Sequence, residues 1–582
     1  MSTEEFDTAW KELSPIQRQA ADWNEGSLLV LAGPGSGKTR VLTCRITRIL
    51  DSNPDKNFRI LGLTFTNKAA DEMRVRVEKY VPGHERRIFL GTFRSFCADV
   101  LRQHGMHLGI KPNFTIYSQD NELQEVLNEA VEEAKRTLEL VQNVHKKTLP
   151  VIFRLKSLLI SPEDCQGKFE DPEFEKVMAA VYSAYETQLV QRNALDFNSL
   201  IFKTYQLFKN YPVFAKRYRT VYPYICLDEF QDTNQAQYGL LRALCGEEHR
   251  NVFVVADDDQ IIYQWNGASH KRINEFIDDY SASIIQLPTN YRCPQEIVAL
   301  ANNLIRHNFL RRPDKTPTEA FRTSSGKDTV RLLSGFATFD DEVNEIARDI
   351  KQLHFAHLGS VAVLGRSRRL LEVTHQALLS EGLPSVISQR KDEFESLPLA
   401  WLHAVLRLHN DKQNRSCLEA VCGAFEQITQ VSSDVENIMT QARASNIGYL
   451  AQWTRETRQR RSADLVTEPG DLLSRFLAGS INFITFCRSW FDWVEKFKQT
   501  QQVQLDPSVQ LFTGYQEERP VWDELVAEIT RALGDDLTLE AFLQELEMHS
   551  KESVPSPDTV ILMTIHGAKG REFDHVYLIG VV

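Results

Sequence analysis

The sequence lacks most of the features that identify a class of protein at once. Its 582 residues carry a net charge of −12, which gives no general positive field for nucleic acid, so any such contact must be local. Nine cysteines without a CxxC pair predict reduced thiols and neither a structural metal nor disulfides. The acidic start MSTEEFDTAW and the absence of membrane-length apolar runs predict a cytoplasmic protein without a membrane partner.

What the chain does have is length and an alternation of short apolar strands with helical stretches. One hydrophobic core seldom serves more than roughly 250–300 residues, so several domains are expected. The alternation predicts doubly wound, parallel α/β sheets. Two long stretches, 97–195 and 396–555, have helical periodicity, and we interpret each as a mainly helical insertion. The predicted strands are 27–33, 59–65, 222–228, 251–256, 283–287, 360–364 and 560–566.

The most specific motif directly follows a predicted strand and opens a helix, as a phosphate-binding P-loop requires. Its glycines let backbone N–H groups turn towards phosphate oxygens, Lys38 neutralises the β- and γ-phosphate charge, and the Thr39 hydroxyl can bind Mg²⁺. The motif predicts binding of ATP or GTP, although Ala32 stands where the strict pattern has its first glycine. It consists of Ala32, Gly33, Pro34, Gly35, Ser36, Gly37, Lys38 and Thr39.

An acidic motif ends another apolar strand. Residues 225–234, ICLDEFQDTN, place Asp228 and Glu229 at that end. Asp228 can hold Mg²⁺, and Glu229 can orient and deprotonate the attacking water. Such a pair is often a cap or a surface pair, but in a chain with a P-loop we interpret it as catalytic. The two motifs together predict a nucleoside triphosphatase.

Further motifs resemble, in order along nearly the whole chain, those of the UvrD/Rep group of superfamily 1 helicases. The segment SPIQ at 14–17 resembles the adenine-reading motif, which implies that Gln17 bonds the base and that ATP is preferred. Arg40 is similar to a residue that packs near the base. In LPTNYRCP, at 287–294, the resemblance implies that Tyr291 stacks on adenine and that Arg292 stabilises charge on the γ-phosphate.

The resemblance also implies a path for single-stranded DNA. The segment LTFTNKAADEM, at 63–73, resembles a contact motif in which Phe65 stacks on a base and Asn67 makes a polar contact. The segment GTFRSF, at 91–96, resembles the next contact motif, with Arg94 where the family usually has histidine. A cation at that position still suits a phosphate.

The segment VVADDDQIIYQWNGA, at 254–268, resembles the part of the family that couples the γ-phosphate to DNA, with Gln260 facing phosphate and Tyr263 and Trp265 facing bases. If it is extended, the i, i+2 spacing puts both rings on one face, whereas the alternative is two core aromatics. The usual arginine is missing at 266, which removes an expected phosphate contact. The departures from family habit are Ala256, Ile261, Gln264 and Asn266.

Second-domain motifs are matched by VAVLGR, at 361–366, and VILMTIHGAKGREF, at 560–573. The resemblance implies that Thr564 and His566 approach the DNA backbone and that Glu572 approaches the ribose. It also implies an α/β fold with two RecA-like P-loop motor domains on parallel sheets, each carrying a mainly helical insertion. The predicted domains are a first motor domain at 1–96 and 196–290 with its insertion at 97–195, and a second motor domain at 291–395 and 556–582 with its insertion at 396–555.

The last residues, HVYLIGVV at 575–582, form an apolar run that predicts a buried strand. The family normally continues with a further arginine motif that completes the ATPase site, so we expect a C-terminally incomplete second motor domain and impaired turnover. Three explanations stay open: an interrupted gene or fragment, a split motor whose remainder is supplied by a protein partner, or a divergent protein that does not need full turnover.

The predicted function is that of an ATP- and Mg²⁺-dependent DNA translocase or helicase on single-stranded and forked DNA. The 3′-to-5′ polarity is taken from the family. A nucleotide-gated DNA-binding or regulatory subunit with little unwinding of its own, one half of a split helicase, and an RNA helicase remain alternatives. The pathway, whether repair, replication or defence, stays open.

Overall fold

Two parallel sheets organise the chain, one in each of two compact units. The computed structural model describes residues 3–54, 56–137, 148–324, 326, 329–353, 357–388, 391–459, 464–501, 512, 514–552 and 556–581. The units are Met1–Leu332 and Leu333–Val582. The predicted α/β class with parallel sheets is confirmed, and the four-part division of the chain stays a prediction.

The first unit has a six-stranded sheet in the order β3-β2-β6-β7-β1-β8, and its strands pair in parallel. Every residue of β1, β2 and β7 is buried, as expected for parallel strands covered on both faces. The five strands predicted in this unit are all present. The strands are β1 (Leu28–Ala32), β2 (Ile60–Thr64), β3 (Ile88–Thr92), β4 (Thr115–Tyr117), β5 (Ala194–Asp196), β6 (Tyr224–Leu227), β7 (Val252–Ala256), β8 (Ser283–Leu287), β9 (Thr289–Pro294) and β10 (Glu319–Arg322).

Helices of the first unit often begin directly after a strand, because a polar residue there caps the helix. The Thr66 and Thr92 hydroxyls accept from the backbone N–H groups of Ala69 and Ser95 and so satisfy donors that the first turn leaves free. The helices are α1 (Glu4–Lys11), α2 (Pro15–Ala21), α3 (Lys38–Asp51), α4 (Asn67–Tyr80), α5 (Phe93–His104), α6 (Asp120–Thr137), α7 (Thr148–Ser157), α8 (Pro172–Gln191), α9 (Phe197–Asn210), α10 (Pro212–Val221), α11 (Gln235–Cys245), α12 (His270–Tyr280) and α13 (Gln295–Ile305).

The stretch predicted as a first helical insertion is helical over α6, α7 and α8, which pack around buried residues such as Tyr182 and Tyr185. It also contains β4, which pairs in parallel with β5 in a separate two-stranded sheet. Past the main sheet, β9 pairs in parallel with β10, and α13 lies between them in the chain.

The second unit has a parallel sheet in the order β12-β13-β11-β14. The predicted strand at the end of the chain is present as β14, but its predicted burial is wrong. It lies at the edge of the sheet, where Val576 is 50% and Leu578 57% exposed. The strands are β11 (Val361–Gly365), β12 (Ser385–Ile387), β13 (Val560–Thr564) and β14 (His575–Leu578).

Between β12 and β13 lies a helical body, as predicted for the second insertion. Its core is rich in tryptophan, and Trp401 stacks on Trp490 with ring centroids 3.9 Å apart. Across the residues described, none of the helices combines the length and apolar character needed to cross a membrane. The helices of this unit are α14 (Phe339–Leu353), α15 (Arg368–Ser380), α16 (Leu397–Asn410), α17 (Arg415–Thr429), α18 (Val435–Ala444), α19 (Tyr449–Gln459), α20 (Asp464–Leu477), α21 (Phe483–Gln501), α22 (Tyr515–Leu533) and α23 (Leu539–Met548).

Candidate nucleotide and DNA site

The predicted site residues of the first unit mostly follow the carboxyl ends of its parallel strands. The P-loop follows β1, Phe65 follows β2, Arg94 follows β3, Asp228 follows β6 and Gln260 follows β7. Carboxyl ends of parallel strands share one edge of a sheet, which is where ligands bind in folds of this type. The strand order therefore brings residues that are far apart in sequence to one edge.

Two P-loop glycines are required by both backbone conformation and close approach. Gly35 and Gly37 have φ angles of +67° and +85°, a region that side chains disfavour. A Cβ atom on Gly35 would lie 2.7 Å from the Cβ atom of Arg292, and one on Gly37 would lie 2.8 Å from Nε2 of Gln17. The loop can therefore keep this shape only with glycine at both positions.

Gln17 is buried and tied to the P-loop. Its Nε2 donates to the carbonyl of Ser36 at 2.8 Å, and its Oε1 accepts from the backbone N–H of Ser14 at 2.9 Å in a capping box that starts α2. A primary amide has two donor hydrogens and two acceptor lone pairs, so each end of the side chain keeps one position for a purine edge. Arg40, predicted near the base, pairs with Glu12 and donates to the carbonyl of Ala9 at 3.3 Å.

Lys38 lies among carboxylates. Its Nζ is 3.3 Å from Oε1 of Glu229. Burial alone would lower the pKa of Lys38, but Glu229, Asp257 and Asp228 outweigh it and raise the pKa. Burial and the neighbouring Glu229 raise the pKa of Asp228 to about 7. Because burial and Glu229 disfavour its charged form, the Asp228 carboxylate would be stabilised by a further cation. The site therefore suits a divalent metal ion, with Lys38 neutralising the phosphates.

Glu229 has a φ angle of +48°, in the left-handed region that costs a side-chain-bearing residue about 1–2 kcal/mol. The backbone N–H of Glu229 donates to Oδ1 of Asp228 at 3.0 Å, and its carboxylate accepts from Nε2 of Gln231. Strain of this kind persists where surrounding contacts impose it, often at functional sites. The turn after β6 thus directs the Glu229 carboxylate towards Lys38.

Gln231 was not among the predicted site residues, yet it connects the two acidic loops. It is fully buried, and its Oε1 accepts from the backbone N–H of Asp257 at 2.9 Å. The Asp257 carboxylate in turn accepts from Nε2 of Gln260 at 2.7 Å. A continuous set of polar contacts therefore leads from Lys38 through Glu229, Gln231 and Asp257 to Gln260. The feature of the sequence that could have indicated this role is the position of Gln231, two residues after Glu229.

The segment with Tyr291 and Arg292 lies against the P-loop. Tyr291 donates its backbone N–H to the carbonyl of Gly35 at 2.8 Å, and Nδ2 of Asn290 donates to the carbonyl of Pro34, also at 2.8 Å. The Tyr291 ring packs against that of Phe321, with centroids 5.0 Å apart. Asn290, which the sequence did not single out, thus anchors β9 beside the phosphate loop.

Three of the residues predicted to contact DNA form an aromatic group. Phe65 and Tyr263 stack with centroids 5.3 Å apart, and Trp265 meets Tyr263 edge to face at 6.1 Å. Trp265 is 77% exposed, which excludes a core role for it. The condition that the segment be extended is not met, because a 3₁₀ turn begins at Gln264.

Two further residues predicted to contact DNA follow β2 and β3. Asn67 is the first residue of α4, directly after its cap Thr66. The guanidinium of Arg94 lies over the ring of Phe197, 4.3 Å from the centroid, so its cationic group is held by an aromatic ring that the sequence did not single out.

The remaining predicted residues are in the second unit, around the end of β13. Thr564 ends that strand, and its hydroxyl accepts from the backbone N–H of Gly567 at 3.1 Å, which shapes the turn that carries His566. Glu572 is exposed in the loop before β14. Its neighbour Arg571 binds both carboxylate oxygens of Glu552, at 3.1 and 3.0 Å.

A glycine loop between a buried strand and a helix, with carboxylates at the end of another parallel strand of the same sheet, defines a P-loop nucleoside triphosphatase. Residues 13–281 match the model of the UvrD/REP helicase N-terminal domain, and residues 285–582 match that of the UvrD-like helicase C-terminal domain. The chain therefore belongs to the UvrD/REP helicase family.

Curated relatives align along nearly the whole chain. The chain is 30% identical to the ATP-dependent DNA helicase PcrA of Staphylococcus epidermidis, over 98% of this chain and 78% of that protein. It is 30% identical to the ATP-dependent DNA helicase PcrA of Bacillus subtilis, over 98% of this chain and 77% of that protein. It is 29% identical to DNA helicase II of Rickettsia typhi, over 98% of this chain and 85% of that protein.

Proposed function

We propose that the protein is an ATP-dependent DNA helicase that moves 3′ to 5′ along single-stranded DNA. The observation that carries the proposal is the set of polar contacts from Lys38 through Glu229, Gln231 and Asp257 to Gln260, three residues before Tyr263 in the aromatic group. Such a connection lets events at the phosphates alter the surface that stacks on bases. The direction of movement comes from the family resemblance.

In the proposed nucleotide site, Gln17 bonds the adenine edge, Tyr291 stacks on the base, and the P-loop N–H groups and Lys38 bind the phosphates. Asp228 and the hydroxyl of Thr39 would hold Mg²⁺, since both offer the hard oxygen ligands that it prefers and the buried Asp228 carboxylate needs a cation. When bound, the metal neutralises charge on the phosphate oxygens.

For hydrolysis, Glu229 orients a water molecule and accepts its proton. Gln260 bonds the γ-phosphate, and Arg292 stabilises the negative charge that develops there. The bond between Gln231 and Glu229 fixes the direction of the carboxylate.

In the proposed DNA path, bases stack on Phe65, Tyr263 and Trp265, and Asn67 and Arg94 contact the strand beside them. Base stacking on aromatic rings is worth about 1–3 kcal/mol per base and tolerates any sequence, as a motor requires. In the second unit, we assign Thr564 and His566 to the DNA backbone and Glu572 to the ribose of the nucleotide.

A second candidate is a regulatory subunit whose ATP binding sets its affinity for DNA without steady unwinding. The departures at Ile261 and Gln264, and the lack of an arginine at 266, favour it because they fall in the segment that joins the two proposed sites. This candidate predicts ATP-dependent DNA binding with little hydrolysis.

The deciding measurement is steady-state ATP hydrolysis by the full chain with and without oligo(dT). For the helicase we expect stimulation by the single strand, and a loss of about 10³-fold or more in kcat for Glu229→Gln. Lys38→Ala should abolish activity through weaker nucleotide binding. Lys135→Ala is a matched control, since its ammonium pairs with Glu132 on the exposed face of α6.

A rate that does not respond to DNA, or that survives Lys38→Ala and Glu229→Gln, would exclude the motor. Strong ATP-dependent binding of oligo(dT) with no stimulated hydrolysis would instead support the regulatory subunit. Displacement of a labelled strand from duplexes with a 3′ or a 5′ overhang then tests polarity, and the proposal requires the 3′ overhang to be preferred.

A further inference from the structure

A lysine that lies outside every motif discussed so far is buried against the acidic loop after β7. The Nζ atom of Lys315 is 2.7 Å from Oδ1 of Asp257, 2.6 Å from Oδ1 of Asp258 and 2.7 Å from Oδ2 of Asp259. Its side chain is only 6% exposed. One ammonium thus donates to three consecutive carboxylates, which uses all three of its N–H groups.

The three aspartate carboxylates are arranged like the ligands of a bound cation, and here the cation is the ammonium group of Lys315. One oxygen from each carboxylate lies within 4.8 Å of the others, a spacing that could hold a metal ion. Lys315 occupies that position. Burial would lower the pKa of Lys315, but the carboxylates of Asp257 and Asp258 outweigh it and raise the pKa, so the ammonium stays charged.

Neighbours of Lys315 hold the same loop. Nε of Arg311 is 3.3 Å from Oδ2 of Asp259. The backbone N–H of Arg312 donates to Oδ2 of Asp258 at 3.0 Å. We call residues 311–315 the basic clamp. The clamp lies between α13 and β10, so it belongs to the segment that starts with Tyr291 and Arg292 beside the P-loop.

Asp257 connects the basic clamp to the proposed chemistry. Its Oδ1 binds Lys315, its Oδ2 accepts from Nε2 of Gln260 at 2.7 Å, and its backbone N–H donates to Gln231. The same Oδ1 also accepts from the backbone N–H of Asp259 at 3.1 Å, so Lys315 and that N–H together fix the rotation of the Asp257 carboxylate, and this rotation sets where the Gln260 amide points.

We propose that Lys315 is a positioning residue for ATP hydrolysis, which acts by fixing the Asp257 carboxylate and, through it, Gln260. The inference rests on the proposed function. Lys315 touches neither phosphate nor DNA in this role. β9, α13 and the basic clamp follow one another in one continuous segment. A displacement of β9 beside the nucleotide is therefore transmitted to Gln260 by two routes, one through the basic clamp and one through the P-loop.

The competing explanation is that Lys315 only neutralises buried charge. A substitution that preserves the charge of the cluster separates the two. Lys315→Ala removes the ammonium, and Lys315→Ala with Asp258→Asn removes one carboxylate as well, which restores the original net charge. Asp258 bonds Lys315 and the Arg312 backbone, so its loss leaves the bond between Asp257 and Gln260 in place.

The experiment measures melting temperature, and kcat and KM for ATP with saturating oligo(dT), on the full chain. For Lys315→Ala we expect a kcat about tenfold lower with KM within about threefold, because the lost contact orients a group for the reaction more than for binding. The charge-matched double variant should regain the melting temperature and keep the low kcat. Lys315→Arg should recover to within about threefold of the wild-type kcat, and Lys135→Ala should match the wild type.

A wild-type kcat in either the single or the double variant would overturn the inference, as would a recovery of kcat in step with stability. If the wild-type chain itself has no hydrolysis that depends on Lys38, the proposed function fails and the inference fails with it. Hydrolysis that depends on Lys38 but is indifferent to Lys315 overturns the inference alone.

Discussion

The ring of Phe65 stacks on the ring of Tyr263, with centroids 5.3 Å apart and planes inclined by 22°. The two rings come from loops after different strands, β2 and β7. In this arrangement their facing surfaces cover each other, so a base can use that surface only if the rings separate. The outer face of the group is formed by Trp265, which is largely exposed.

Substituting these rings should weaken DNA binding and leave nucleotide binding unchanged. For Trp265→Ala we expect the Kd for oligo(dT) to rise about 5- to 100-fold, because a base loses one stacking surface. Fluorescence anisotropy of a labelled oligonucleotide measures this change. Phe174→Ala, which removes a 43% exposed ring on α8, is the control. Equal affinities for Trp265→Ala and the control would remove Trp265 from the DNA path.

Gln231→Ala should lower kcat about tenfold with little change in KM for ATP, because Glu229 loses the donor that orients its carboxylate. The backbone N–H of Asp257 also loses its acceptor, which should lower the free energy of unfolding by about 1–3 kcal/mol. Stopped-flow phosphate release and urea titration measure the two effects. Gln235→Ala, on the exposed first turn of α11, is the matched control. A stability loss without any change in kcat would limit Gln231 to a structural role.

A buried ion network predicts a specific response of stability to acid. Burial raises the pKa of Glu186, but Lys156 and Lys203 outweigh it and lower the pKa from 4.5 to about 2. This carboxylate therefore stabilises the fold above pH 4.5 and loses that contribution as the pH falls towards 2. Wild type should exceed Glu186→Gln in free energy of unfolding by about 3 kcal/mol at pH 7.

At pH 3 that difference should be smaller by about 2 kcal/mol, which urea titrations at the two pH values can measure. Glu132→Gln is the control: Lys135 also lowers the pKa of this carboxyl, but the pair is exposed on α6 and screened by solvent, so its gap should be much smaller than that of Glu186. A difference between wild type and Glu186→Gln that is the same at both pH values would contradict the assignment.

Glu552 lies in the segment that follows the second helical body, and Arg571 lies in the loop that carries Glu572. The ion pair between them connects the two segments. Glu552→Arg should free this loop, because two charge-assisted hydrogen bonds are lost. We expect faster amide hydrogen exchange over 565–574. The exchanged pair, Glu552→Arg with Arg571→Glu, should restore slow exchange. Fast exchange in the double variant would mean that the pair does not hold the loop.

Much of this arrangement follows from the sequence because it depends on local patterns. The apolar strands and the glycine loop identify their own structure within a few residues, and the acidic pair at 228–229 lies where a strand must end. The spacing of Tyr263 and Trp265 predicted one shared face if the segment were extended, but a 3₁₀ turn begins between the two residues, and the rings meet edge to face across it.

The residues that sequence reasoning missed act across long separations. Lys315 meets Asp257 in space, 58 positions away in sequence, and it lies in a stretch without apolar periodicity. Asn290 bonds the carbonyl of Pro34 across 256 positions. No local pattern predicts such pairs, because they depend on how a connecting segment crosses the sheet edge. The half-exposed β14 was predicted as buried for a related reason: an apolar run has the same appearance at the edge and at the centre of a sheet.

The left-handed backbone at Glu229 has a consequence for how this protein can change over generations. Glycine adopts that conformation freely, so Glu229→Gly should relieve about 1 kcal/mol of strain while it deletes the carboxylate. The same change removes the ion-pair partner of Lys38 and the acceptor of the buried Gln231 amide, so the relieved strain and the lost contacts act on stability in opposite directions. A library sorted only for thermal tolerance should therefore discriminate weakly between glutamate and glycine at position 229, whereas a library sorted for turnover should retain the acid.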